Sequence, residues 1–132
     1  MTTQHPEAPS SAPSPRLTAT LQLLRALCHL IVVIAVCVWG FTDWALPWPG
    51  LLTGIGFTVL AVLIWALFLS PRPVLRTDRF GLGLIELLFI GAGVGAMLGI
   101  GVPWPVATVL GIVAAVLGYI VPERLRALER AR

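Results

Sequence analysis

The chain has 132 residues, 58% of them apolar and 11% charged, and its net charge of +3 is carried wholly by arginine. A soluble domain is about 25% charged, and a chain this short leaves much of its surface exposed when folded. A water-soluble globule is therefore excluded. The small positive excess sits beside apolar runs, which argues for contact with anionic headgroups and against nucleic acid.

Residues 1–20 come first, rich in Pro, Ser and Thr. Such a stretch cannot bury apolar surface and is expected to be a disordered tail. Four apolar runs follow, at about 24–40, 51–69, 80–100 and 106–121. About 20 such residues wound as a helix match the roughly 30 Å hydrocarbon core of a bilayer. In lipid every backbone group must be paired within its own segment, so helices are expected. The runs do not alternate apolar with polar residues, as the strands of a membrane barrel would. No leader-type cleavage site follows the first run, so it should stay as an anchor. The fold class is all-α: a four-transmembrane-helix bundle over residues 21–121. Residues 122–132 then form a basic amphipathic tail on the inner leaflet, with proline suited to its first turn.

The arginines are distributed with one bias. Arg16 and Arg25 precede or open the first helix. Arg72, Arg76 and Arg79 join the second to the third, and Arg124, Arg126, Arg130 and Arg132 follow the fourth. The other two loops hold no basic residue. The positive-inside rule then places both termini and the middle loop in the cytoplasm of a multi-pass protein of the cell membrane. Trp39, Trp44, Trp48 and Trp104 all fall at the opposite ends, where they are expected to anchor the interface. Pro47-Trp48-Pro49 and Pro103-Trp104-Pro105 each join two apolar runs. His29-Leu30 and Glu86-Leu87 occupy matching places one helix earlier. This spacing suggests two parallel helix-hairpin repeats.

The third run, FGLGLIELLFIGAGVGAMLGI, holds a single charge, Glu86. A carboxylate within lipid is costly and is normally held by a partner or used in a function. It lies seven residues past Arg79, so about 10 Å along a helix axis. His29 sits at a similar depth in the first helix, on the same face as Arg25 four residues earlier. Glu86, His29 and Arg25 therefore form a candidate intramembrane polar cluster. Such a cluster could bind a cation, relay a proton or contact a headgroup. In a simpler reading it locks the first helix to the third while Arg25 reaches for the cytoplasm. Gly91, Gly95 and Gly99 form a small-residue stripe opposite Glu86, and Gly111 and Ala115 offer another on the fourth helix. These are expected to let helices approach closely within the bundle, with self-association of the chain as the alternative. Cys28 and Cys37 lie nine residues apart on one helix, too far to bond each other, and read as buried free thiols. No metal-ligand cluster, cofactor motif or catalytic constellation stands out, so neither an enzyme nor a cofactor or metal protein is expected.

The order of features resembles the YrdB-like family of small bacterial four-helix membrane proteins, which has no assigned function. The residues that carry the resemblance are Leu24-Arg25-x-x-x-His29-Leu30, Trp65-Ala66-Leu67-Phe68-Leu69-Ser70-Pro71 and Glu86-Leu87-Leu88-Phe89. The family prefers glutamate where this chain has His29. The resemblance implies a four-helix membrane fold and no activity. The expected role is thus a structural or interaction protein of the membrane, with anionic inner-leaflet lipids and a second copy as partners. The alternative is a small transporter or ion-coupled carrier that uses Glu86 and His29.

Overall fold

The computed structural model describes residues 14–70, 72–75 and 77–131. Four helices follow one another: α1 (Pro15–Thr42), α2 (Gly50–Ile64), α3 (Arg79–Gly99) and α4 (Trp104–Arg130). The end of α2 runs on as a π-helical turn, Trp65–Leu69. With that turn included, each of the four is long and apolar enough to cross a bilayer. Apart from these helices the described residues are turns and loops, with no strand. The described residues thus form an all-helical bundle with four helices able to span a membrane.

α1 starts earlier than its apolar run. Pro15 stands in the first turn, where its missing N–H has no partner to lose. The N–H of Thr18 and its hydroxyl both donate to the Ser14 carbonyl. Residues 15–20, expected in the tail, are therefore helical, while residues 1–13 lie outside the described part. α4 also exceeds its apolar run and passes through Pro122 without ending. The expected break there is absent, so residues 122–130 extend α4 and do not form a separate surface helix. Proline within a helix removes one backbone bond and crowds the carbonyl four residues back. That carbonyl belongs to Gly118, which brings no side chain of its own to the crowded turn. At the start of α3, Asp78 caps the helix, its carboxylate accepting from the Gly81 N–H at 3.4 Å.

The bundle is built around α1, which packs against each of the other three helices, while α3 also packs on α4. Buried positions on α1 are Thr18, Cys28, His29, Val32, Ala35, Val36 and Gly40. On α3 they are Glu86, Phe89, Ile90, Gly93, Ala96 and Met97. Both sets recur at three- and four-residue steps, which is one face of a helix. The other faces carry Leu, Ile and Val that stay exposed, such as Leu23, Leu52 and Leu88. Apolar side chains facing outward are what acyl chains require. Among lipid tails, helix association rests on close packing and interhelical hydrogen bonds rather than on expulsion of water.

Close packing is visible at small residues. Gly40 of α1 meets Gly54 of α2 backbone to backbone, since a Cβ built on Gly40 would stand 3.0 Å from the Gly54 Cα. The Thr53 hydroxyl lies 3.0 Å from the Gly40 carbonyl oxygen and donates across the same contact. On α3, Gly93 touches α1 beneath Val32. Gly91 and Gly95 have open space around them, so two-thirds of the expected stripe faces out of the bundle. Gly99 does pack, with the indole of Trp39 lying on it. Gly111 of α4 sits beneath Val94, and Ala115 packs at the edge of the core.

Trp39 differs from the other tryptophans. Its ring centroid is 5.2 Å from that of Phe57 and 6.4 Å from that of Trp44, and it borders the core. It is a packing residue at the end of the bundle. Trp44, Trp48 and Trp104 are exposed, as anchors would be. The two proline–tryptophan–proline segments both precede helices, but α2 begins after its segment and α4 begins within its own.

The glycine contacts give a direct comparison. Gly93→Val must displace Val32, and overpacking of this kind costs about 1–3 kcal/mol. Gly91→Ala meets nothing and should hold or slightly raise stability, because alanine favours helix over glycine by roughly 1 kcal/mol. In detergent the melting midpoint of purified Gly93→Val should therefore fall below the unsubstituted value, and that of Gly91→Ala should stand at or above it.

Candidate functional site

Glu86 begins the buried face of α3, one turn before Phe89 and Ile90. Its place follows from periodicity: positions 86, 89, 90, 93 and 97 share a side of the helix. The inward direction keeps the carboxylate out of lipid and presents it to α1. There the three-to-four-residue rhythm brings Arg25 and His29 to the facing side.

The three side chains meet. Arg25 Nε donates to Glu86 Oε1 at 2.9 Å, and Arg25 Nη2 lies 2.8 Å from the same oxygen. His29 Nε2 lies 3.2 Å from it, off the line of a hydrogen bond, and is otherwise a buried nitrogen without a partner. Glu86 is 5% exposed and His29 2%. The Arg25 side chain is 15% exposed, so it turns into the bundle instead of running out to the headgroups. Charge-assisted bonds at these distances are among the stronger polar contacts a protein makes. The His29 ring is held from the other side by Phe89, edge to face at 5.6 Å between centroids. The imidazole is thus fixed by packing and the guanidinium by its two nitrogens on one oxygen.

α4 closes the site with an absent side chain. A Cβ on Gly118 would stand 2.6 Å from Glu86 Oε1 and 2.9 Å from Oε2. Only glycine lets the carboxylate lie against α4 in this arrangement. Gly118 was not among the candidates drawn from the sequence. A signal was present, because the small residues of α4 continue as Ala107, Gly111, Ala114 and Gly118 at steps of three and four. The rest of the helix–helix contact here is Cys28 with Ile90, Ala114 and Leu117. Cys28 and Cys37 are both free thiols.

A second ion pair lies at the arginine-rich end. Arg79 of α3 and Glu123 of α4 are bonded to each other, and Arg126 Nη1 is 3.8 Å from the same carboxylate oxygen. Between this pair and Glu86, α3 and α4 part to form a groove of about 600 Å³. Among the described residues no group of three His, Cys, Asp or Glu side chains is placed to hold a metal ion.

The sequence matches the family described as "Protein of unknown function (DUF2568)" over residues 23–115. The chain belongs to this family. The matched span includes Arg25, His29 and Glu86 and stops before Gly118 and Glu123, so DUF2568 embraces the cluster, the whole of α2 and α3, and parts of α1 and α4. Comparison with curated proteins and with solved structures found no match.

The geometry of the cluster makes two substitutions informative. Glu86→Ala leaves the Arg25 guanidinium buried without its counter-charge, and breaking a buried pair from one side costs about 3–5 kcal/mol. Gly118→Leu keeps every charge and pushes the carboxylate away from α4. Both variants should melt well below the unsubstituted protein in detergent. A normal midpoint for Gly118→Leu would show that Glu86 does not lie against α4.

Proposed function

We propose that this DUF2568 chain is a non-catalytic, structural or interaction protein of the cell membrane, in which Arg25, His29 and Glu86 clamp α1 to α3 and α4. The observation that carries this reading is the pairing of Glu86 with Arg25 across α1 and α3, with His29 packed beside the same carboxylate oxygen. Two nitrogens of Arg25 and one of His29 converge on Glu86 Oε1. Groups spent on one another hold helices together, and a partner-bound charge is the form in which lipid tolerates it. The arginine bias supports cytoplasmic termini, and it supports anionic lipids of the inner leaflet as the surroundings of that end. The outward-facing Gly91 and Gly95 leave room for a second copy of the chain.

One feature favours the carrier reading. Glu86 Oε2 accepts no hydrogen bond from the described residues, and Glu86 lines the groove between α3 and α4. A carrier would use that oxygen for its ion. Glu86→Gln discriminates. The clamp reading expects a lower melting midpoint and no change in ion or proton flux across proteoliposomes. Abolished flux in a protein that still melts normally would establish the carrier. Orientation is checked by fusing a reporter active only outside the cytoplasm to the C-terminus, where it should stay silent.

A further inference from the structure

We infer that the groove between α3 and α4 is a binding site for a single-chain anionic glycerophospholipid, with its phosphate at Arg79 and Arg126, its free hydroxyl on Glu86 Oε2 and its acyl chain along the groove. The inference rests on the four-span reading but not on the role given to the clamp.

Three features of the groove point to this ligand. The first is charge at the mouth. Arg79 and Arg126 both line it, on α3 and α4, and share the single carboxylate of Glu123. Two cations and one acid leave one positive charge in excess. Arg126 approaches Glu123 with one nitrogen at 3.8 Å, so most of its donors are free for a phosphate. The second is the free acceptor below the mouth. Both Arg25 nitrogens that reach Glu86 go to Oε1, and no donor among the described residues reaches Oε2. Glu86 is 95% buried, yet it lines the groove, and Oε2 lies beside Gly118, also a lining residue. A side chain in a helix leans toward the N-terminus, so the carboxylate reaches from residue 86 back toward the mouth. An acceptor one step beneath the phosphate level calls for the sn-2 hydroxyl of the acylated backbone glycerol, which a single-chain lipid retains and a two-chain lipid has esterified. The third is the apolar trough beyond. From Arg79 to Ile90 is eleven residues of α3, about 16 Å of helix axis. Leu87, Ile90 and Ala115 line its deeper part. Gly83, also lining, has open space where a side chain would stand. The volume of about 600 Å³ falls within the range of about 300–1,000 Å³ usual for small-ligand sites.

Native mass spectrometry of the delipidated full chain in detergent tests this, with palmitoyl lysophosphatidylglycerol as the probe. It should be retained in preference to palmitoyl lysophosphatidylcholine and to two-chain phosphatidylglycerol. Arg79→Gln and Arg126→Gln should each weaken retention roughly fivefold, the share of one arginine near an anionic group. Gly83→Leu, placed in open space, should fill the trough and abolish retention while the melting midpoint holds. The 2-deoxy analogue of the probe should bind roughly tenfold more weakly, the loss expected for one hydrogen bond to a charged group. Equal retention of the two single-chain headgroups, equal retention of the two-chain lipid, full binding of the deoxy analogue or indifference to Gly83→Leu would each overturn the assignment. A failed clamp shows instead as an unchanged midpoint in the Glu86 variants, which these lipid measurements do not read.

Discussion

One carboxylate oxygen organises this molecule. Glu86 Oε1 receives Arg25 and faces His29 from α1, and it lies over Gly118 of α4. In lipid such a group cannot be left exposed, because no water remains to solvate it. The requirement acts on three helices at once. It sets the rotation of α3, since Glu86 must face inward. It draws Arg25 away from the headgroups that a long arginine would otherwise reach. It also forbids any side chain at residue 118. The contact is therefore as much a constraint on register as a source of stability.

The remaining cohesion comes from small residues and shape. Apolar side chains gain little by touching each other when the solvent is itself hydrocarbon. What separates one helix pairing from another is how near the backbones can come. Gly40 against Gly54, Gly93 beneath Val32 and Gly111 beneath Val94 are three such approaches, all between the middle of the bundle and its tryptophan-rich end. With Thr53 donating across the first of them, each interface of α1 with α2, and of α3 with its neighbours, carries at least one contact that a larger residue would destroy. The groove between α3 and α4 is the place where this close approach stops.

Much of the architecture was legible in the chain itself. Four apolar runs of spanning length required four helices, because lipid allows no other pairing of the backbone. Arg25, His29 and Glu86 could be nominated because charge within an apolar run is rare enough to stand out. Helix termini were less legible. α1 reaches back to Pro15 and α4 runs through Pro122, in both cases beyond where hydropathy changes. Hydropathy marks where lipid ends, whereas a helix ends where its backbone bonds can no longer be made. The glycines show the other limit. Gly91, Gly95 and Gly99 look alike in sequence, yet the first two face outward and the third lies under Trp39. Which glycine touches a neighbour depends on the rotation of α3, and that is set by Glu86. Gly118 was missed because its importance lies in what another helix places against it.

The claim on which this account depends is that Arg25 and Glu86 are energetically coupled across α1 and α3. A double-mutant cycle with Arg25→Met and Glu86→Leu, read by unfolding of the purified protein in mixed micelles, measures that coupling directly. The account predicts that the double variant is more stable than the sum of the two single losses implies, by at least the 0.6–1.7 kcal/mol or so found for polar contacts between membrane helices. Strict additivity of the two losses would contradict it.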